Sequence, residues 1–186
     1  MVKKLARDTF KRERSSLTPE QRAVYSFEIC EMITGMPEFL DASLVLIYHP
    51  YGTEVDVKNI ARRAFSLGKK VGLPCMYGND MRFLCVNSID NLPEMTYDIP
   101  EEFREECENI TDFSDSVCIV PALALDEGGM RMGYGKGCYD RFLRGYEGVS
   151  VCAVFPSLFV SELPTDEYDV AVDIGVIPTI GIKRFG

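Results

Sequence analysis

The sequence predicts an α/β fold of three layers, with helices on both faces of a mostly parallel central sheet. Three observations predict it. Short apolar runs at residues 43–48, 117–121 and 150–155 have the length and composition of strands buried on both faces. Segments with helix start and stop signals alternate with them. The 186 residues, 46% hydrophobic, suffice for one domain (1–186) that buries roughly 70% of its unfolded surface.

The elements follow in order. Residues 3–16 are rich in charge and read as a helix with a sparse apolar stripe of Leu5, Phe10 and Leu17. Thr18-Pro19-Glu20-Gln21 is a helix start, with Thr as cap, Pro at the first helical position and Gln at the capping-box position. That helix runs to about Gly35 and breaks at Met36-Pro37. Residues 43–48 form a strand, and 49–54 a loop at its C-terminal end. A helix over 55–67 stops at Gly68. Strands are expected at 70–74 and 81–86. Residues 87–115, polar and acidic, read as a surface excursion with one short helix. The strand 117–121 feeds a glycine-rich loop, 136–143 opens a helix, and 150–155 is a strand. The segment from Glu162 to Gly186 is punctuated by proline and carries Asp166, Asp169 and Asp173. Strands alternating with helices give a Rossmann-like arrangement, in which ligands collect beyond the C-terminal strand ends. Loops 49–54 and 122–137 should therefore face one cleft.

Composition excludes several functions. A net charge of −9 argues against nucleic acid as partner. No run of 18 apolar residues predicts a membrane span, and the first residues lack a signal peptide's apolar stretch. The seven cysteines form no Cys-x-x-Cys pair, which points to reduced thiols in the cytoplasm. His49 is the only histidine, so a multi-histidine zinc site is impossible and any Ser-His-Asp triad would have to use it. No serine sits in a Gly-x-Ser-x-Gly elbow. Chemistry must rest on carboxylates, Lys/Arg, backbone amides and a hard cation.

The most informative run is Asp126-Glu127-Gly128-Gly129-Met130-Arg131-Met132-Gly133-Tyr134-Gly135-Lys136-Gly137-Cys138-Tyr139-Asp140-Arg141. It is neither a Walker A loop nor a Gly-x-Gly-x-x-Gly fingerprint. It follows a buried strand, opens a helix and interleaves cations with bare amides, as a phosphate-plus-metal site requires.

The string Gly-x-Arg-x-Gly-Tyr-Gly-Lys-Gly-x-Tyr-Asp-Arg resembles the signature of the 5-formyltetrahydrofolate cyclo-ligase family, also called methenyltetrahydrofolate synthetase. Further likeness lies in Lys3-Lys4-Leu5-Ala6-Arg7, Ser16 to Arg22, Tyr51-Gly52-Thr53-Glu54-Val55-Asp56, Val120 to Asp126, and Leu163-Pro164 with Asp169-Val170. The resemblance implies a Mg²⁺- and ATP-dependent closure of 5-formyltetrahydrofolate to 5,10-methenyltetrahydrofolate, by a monomer. It implies that Arg131 and Lys136 act on the reacting phosphate. It assigns ATP to Lys3, Lys4, Arg7, Arg131, Gly133, Tyr134, Gly135, Lys136, Gly137, Cys138 and Tyr139. It assigns folate to His49, Glu54, Tyr134, Gly135, Lys136, Gly137 and Cys138, and Mg²⁺ to Asp140 and Asp169.

Plainer readings stand beside these. Lys3 and Arg7, at i and i+4, share a helix face that could simply be a solvated basic end. Asp140 could pair with Arg144 at i+4. Glu54 could cap the helix expected from Val55. Tyr134 and Tyr139 could stack on a flat heterocycle or pack on the core. One departure falls inside the signature: the family usually has adjacent tyrosines where this chain has Cys138-Tyr139, and a thiol neither stacks nor donates as a phenol does. Pro178 is a second departure. A catalytically altered member that only binds nucleotide or folate is the alternative, and an unrelated α/β enzyme acting on phosphosugars or acyl-CoA is the third reading.

Overall fold

The computed structural model describes residues 2–78, 80–90 and 107–186. The chain opens with α1 (Val2–Ser16). Its inward face is not the apolar stripe expected from Leu5, which is exposed; Lys3, Arg7, Phe10 and Arg14, at helical spacing, turn inward instead. Thr18 starts α2 (Pro19–Thr34) with the expected reciprocal cap: its hydroxyl accepts from the Gln21 amide, and Gln21 Oε1 accepts from the Thr18 amide. α2 ends at Thr34, just before Met36-Pro37, as expected. Met36-Pro37 opens a further turn, α3 (Pro37–Asp41), because proline is admitted at a first helical position.

Then come β1 (Leu44–Leu46), α4 (Lys58–Ser66), β2 (Lys70–Tyr77) and β3 (Asp80–Val86). β2 continues past Pro74. β1 pairs with it only through Gly72, so the proline lies where no β1 partner needs its missing N–H. β2 and β3 form an antiparallel hairpin, for which Gly78-Asn79 between apolar runs is the sequence signal. Of the excursion over 87–115, where one short helix is expected, residues 91–106 lie outside the described residues.

β4 (Asn109–Ile110), β5 (Ser116–Val120), β6 (Ala124–Asp126) and β7 (Arg131–Met132) follow. Next are α5 (Cys138–Leu143), β8 (Val149–Ala153), β9 (Phe159–Val160), β10 (Ile174–Ile177) and β11 (Gly181–Arg184).

The main sheet has eight strands in the order β11-β10-β8-β5-β1-β2-β3-β4. β10, β8, β5, β1 and β2 are parallel; β11 and β3 run against them at the two flanks, and β4 pairs antiparallel with β3. Within the proline-punctuated C-terminal segment, β10 and β11 form a hairpin. α2 and α4 pack on each other and on β10 and β2, and α5 packs on β3. Phe142 of α5 meets Phe83 with ring centroids 4.9 Å apart.

A second sheet, β7-β6-β9, covers part of the main one. Gly175 makes that approach possible: a Cβ there would stand 2.7 Å from Leu125 Cδ2 of β6. The strand order reverses at β1, whose neighbours are β2 on one side and β5 on the other, and this switch point opens a crevice at their C-terminal ends.

Candidate functional site

Beyond the C-terminal ends of β1, β2 and β5 lies a cleft of about 750 Å³, within the range of small-molecule sites. Tyr48 and His49 continue β1 into it, Pro74 and Met76 come from β2, Met81 from β3 and Pro121 from the end of β5. Lys3 and Arg7 of α1 border it with Asp166 and Asp169, and residues 131–141 line it along their whole length. The two loops expected to share a cleft do so: Glu54 and the glycine segment both line it.

The glycine run divides into two parts with different work. Gly128 and Gly129 make the β6–β7 turn. Asp126, almost fully buried, accepts from the amides of Gly128, Met130 and Leu163 at 2.9, 2.9 and 3.0 Å, and so holds that turn rather than a ligand. The second part, from Gly133 to Gly137, faces the cleft. Gly135 has φ +96°, a conformation that L side chains rarely adopt, and a Cβ there would lie 3.1 Å from Arg7 Cζ. Arg7 in turn donates from Nε to the Gly133 carbonyl at 3.1 Å, which fastens α1 to the loop.

Carboxylates and cations alternate around the cleft. Lys3 pairs with Asp166 at 2.7 Å and, more tightly, with Asp169. Burial lowers the Lys3 pKa, but hydrogen bonds to Asp166 and Asp169 and their charges outweigh it and raise the value above normal. Asp140 pairs with Arg131 at 2.9 Å, not with Arg144, and also accepts from the Val170 amide at 3.3 Å. Arg144 donates to the Tyr168 carbonyl. Glu54 does not cap a helix: α4 begins at Lys58, Asp56 accepts from that amide, and Glu54 accepts from the Tyr51 amide at 2.9 Å. Lys4 is exposed and does not line the cleft, so the basic pair at 3 and 4 reduces to Lys3.

Two polar atoms on the cleft wall are buried with no hydrogen-bond partner among the described residues, His49 Nδ1 and the Tyr139 hydroxyl. Such atoms cost stability unless a ligand or water satisfies them. Burial pushes the Tyr139 pKa far up, which keeps its proton in place. Burial, then the Lys58 charge, lower that of His49, opposed by Asp56, so the imidazole is neutral at pH 7. Tyr134 is likewise held protonated, by burial and the Glu54 carboxylate.

Among the described residues no group of three or more His, Cys, Asp or Glu side chains could hold a metal by itself. Asp140 and Asp169 both line the cleft, and a Mg²⁺ ion there would need only one or two carboxylates, the remaining positions going to phosphate and water.

Two functional residues escaped the sequence reading. Asp126, which brackets the glycines, holds their turn; the Asp-x-Gly spacing of a carboxylate-held turn was the signal. Arg14 is the one buried residue of α1. Its signal was the 4-3-4 spacing of Lys3, Arg7, Phe10 and Arg14.

Fold and cleft together define a doubly wound α/β protein with a small-molecule site at its topological switch point. The chain belongs to the 5-formyltetrahydrofolate cyclo-ligase family, whose sequence profile matches residues 1–178. It is similar to the 5-formyltetrahydrofolate cyclo-ligase of Escherichia coli (strain K12), 26% identical over 175 residues that cover 91% of this chain and 96% of that protein. The Mus musculus 5-formyltetrahydrofolate cyclo-ligase is 23% identical over 187 residues, covering 92% and 91%. Among solved structures, the 5,10-methenyltetrahydrofolate synthetase of Aquifex aeolicus superposes with a TM-score of 0.84 at 29% identity, covering 99% of this chain and 93% of that one. No helix among the described residues is long and apolar enough to cross a membrane.

Proposed function

We propose that this protein closes 5-formyltetrahydrofolate to 5,10-methenyltetrahydrofolate at the expense of ATP, with release of ADP and phosphate. The observation that carries the reading is the cleft itself: cations, glycine amides, Glu54 and two buried polar atoms without a partner among the described residues line one cavity, inside a chain of the cyclo-ligase family.

In this chemistry the formyl oxygen attacks the γ-phosphorus and ADP leaves. The N10 nitrogen then attacks the formyl carbon, loses its proton, and the carbon–oxygen bond breaks to release phosphate. Neither step needs a protein nucleophile; both need positioning and charge neutralisation. Lys3, Arg7 and Lys136, with the amides of Gly133, Gly135 and Gly137, bind the phosphates. Arg131 keeps Asp140 aimed at the cleft, and Lys136 faces the transferred group. Mg²⁺, when bound through Asp140 and Asp169, supplies further neutralisation of the phosphate oxygens. On the folate side Glu54 accepts from ring donors, His49 and Tyr139 offer polar contacts, and Tyr134 and Cys138 complete the wall.

The same reading takes residues 1–186 as one domain acting as a monomer in the cytoplasm. One hydrophobic cluster joining residues from Ile29 to Ile177 supports the single domain, and cysteines that form no disulfide fit a reducing compartment.

Purified protein given 5-formyltetrahydrofolate, ATP and Mg²⁺ should develop the methenyl absorbance, and should not do so without ATP. Folded protein that leaves the spectrum unchanged defeats the proposal.

A further inference from the structure

We infer that Arg14 is a positioning residue: through the Tyr134 hydroxyl it holds the Glu54 carboxylate at the cleft wall, and so sets affinity for the ring-bearing substrate on that side. The inference rests on the reading of Glu54 as a folate contact. Arg14 is 5% exposed and does not itself line the cleft. A buried guanidinium is costly unless its donors are met.

Here each nitrogen has an acceptor. Nε donates to Thr53 Oγ1 at 3.0 Å, Nη1 to the Ala122 carbonyl at 3.4 Å, and Nη2 to the Tyr134 hydroxyl. The guanidinium also lies 5.6 Å from the Tyr134 ring centroid. Because the Tyr134 oxygen accepts from Arg14, its own proton is left for Glu54, with which it hydrogen-bonds. Thr53 directly precedes Glu54. Arg14 therefore grips this loop at two points, and the second runs through the side wall of the ligand site. A lysine can meet one of these acceptors but not the spread of three. The other anchor on the carboxylate is the Tyr51 amide, which fixes one oxygen only.

The test is kinetic and thermodynamic together. For wild type, Arg14→Met, Arg14→Lys and Tyr134→Phe, one measures KM for each substrate, kcat, the Kd of 5-formyltetrahydrofolate by calorimetry, and Tm. Arg14→Met should raise the folate KM and Kd by roughly 10- to 100-fold, the loss of a charged hydrogen bond, while the ATP KM stays within about threefold. Arg14→Lys should recover part of the affinity. Tyr134→Phe should reproduce the defect, and adding it to Arg14→Met should worsen it little.

An equal rise in both KM values, an unchanged folate Kd in a folded variant, or multiplicative effects of the two changes overturns the inference. If Arg14→Met does not fold, the cycle is run between Arg14→Lys and Tyr134→Phe with the same criteria. Wild-type protein that neither binds nor converts the folate overturns the functional reading, and this inference with it, a result distinct from any confined to the variants.

Discussion

Asp140→Ala removes the acceptor that Arg131 depends on. Asp140 Oδ1 receives Arg131 Nη2 at 2.9 Å and the Val170 amide at 3.3 Å. The Arg131 side chain is only 3% exposed, and that of Asp140 is 25% exposed. Removing one partner of a buried pair costs about 3–5 kcal/mol, because the remaining charge stays desolvated. Two features reduce the figure here. Arg131 keeps the Val170 carbonyl as an acceptor, and the exposed edge of Asp140 lets water into the gap. The expected loss is therefore about 2–3 kcal/mol, or a fall in Tm of roughly 4–12 °C for a chain of this length. Asp140→Asn keeps an acceptor oxygen and should lose about 1 kcal/mol. Its turnover should nonetheless fall on the order of 100-fold, since a neutral amide is a poor Mg²⁺ ligand. Urea and thermal melts of Asp140→Ala, Arg131→Met and the double variant measure the coupling, which should exceed about 1 kcal/mol. A loss below about 0.5 kcal/mol for Asp140→Ala, or strict additivity in the cycle, refutes the argument.

Lys3→Met should raise the ATP KM about tenfold while costing under about 1 kcal/mol of stability, since its acidic partners are partly solvated; steady-state kinetics beside melts separate the two, and an unchanged KM removes Lys3 from the nucleotide side. Gly135→Ala must place a side chain at φ +96° against Arg7, so it should cost about 1–3 kcal/mol and weaken ATP binding as Arg7 shifts off the Gly133 carbonyl; normal stability and affinity would show that the loop adapts. His49 has a folded pKa below its unfolded value near 6.5. The unfolded chain therefore binds the extra proton first, so this group's contribution is present above pH 6.5 and declines as pH falls below it, until the folded pKa is passed. Urea melts should show that slope in wild type and lose it in His49→Gln; equal slopes in both proteins would exclude His49 as its source.

Much of this protein was legible in sequence because the signals were local. The Thr18–Gln21 cap, the Gly68 stop and the buried runs of β1, β5 and β8 depend on dihedral preferences and near neighbours, and they appear where the residues direct them. The alternation of strands and helices predicts that loops 49–54 and 122–137 share one cleft, and they do. The hairpins were harder. β6–β7 and β10–β11 contain strands of two to four residues, too short for alternation to show, and the glycines between β6 and β7 read equally as turn or ligand cradle.

Sequence by itself determined the α/β class, the family signature and the residue types that chemistry here can use. Only the tertiary structure decided which charge meets which. Asp140 chose Arg131 over the nearer Arg144, Asp126 became the holder of a turn, and Arg14 was buried. The reason is physical. A cap or turn is settled within a few residues, but the partner of a buried charge is whatever the packing of distant segments brings within 3 Å. Arg14 and Tyr134 are 120 positions apart, and Lys3 and Asp169 are 166 apart. No local preference encodes such meetings; the sheet order and the close approach permitted by Gly175 do.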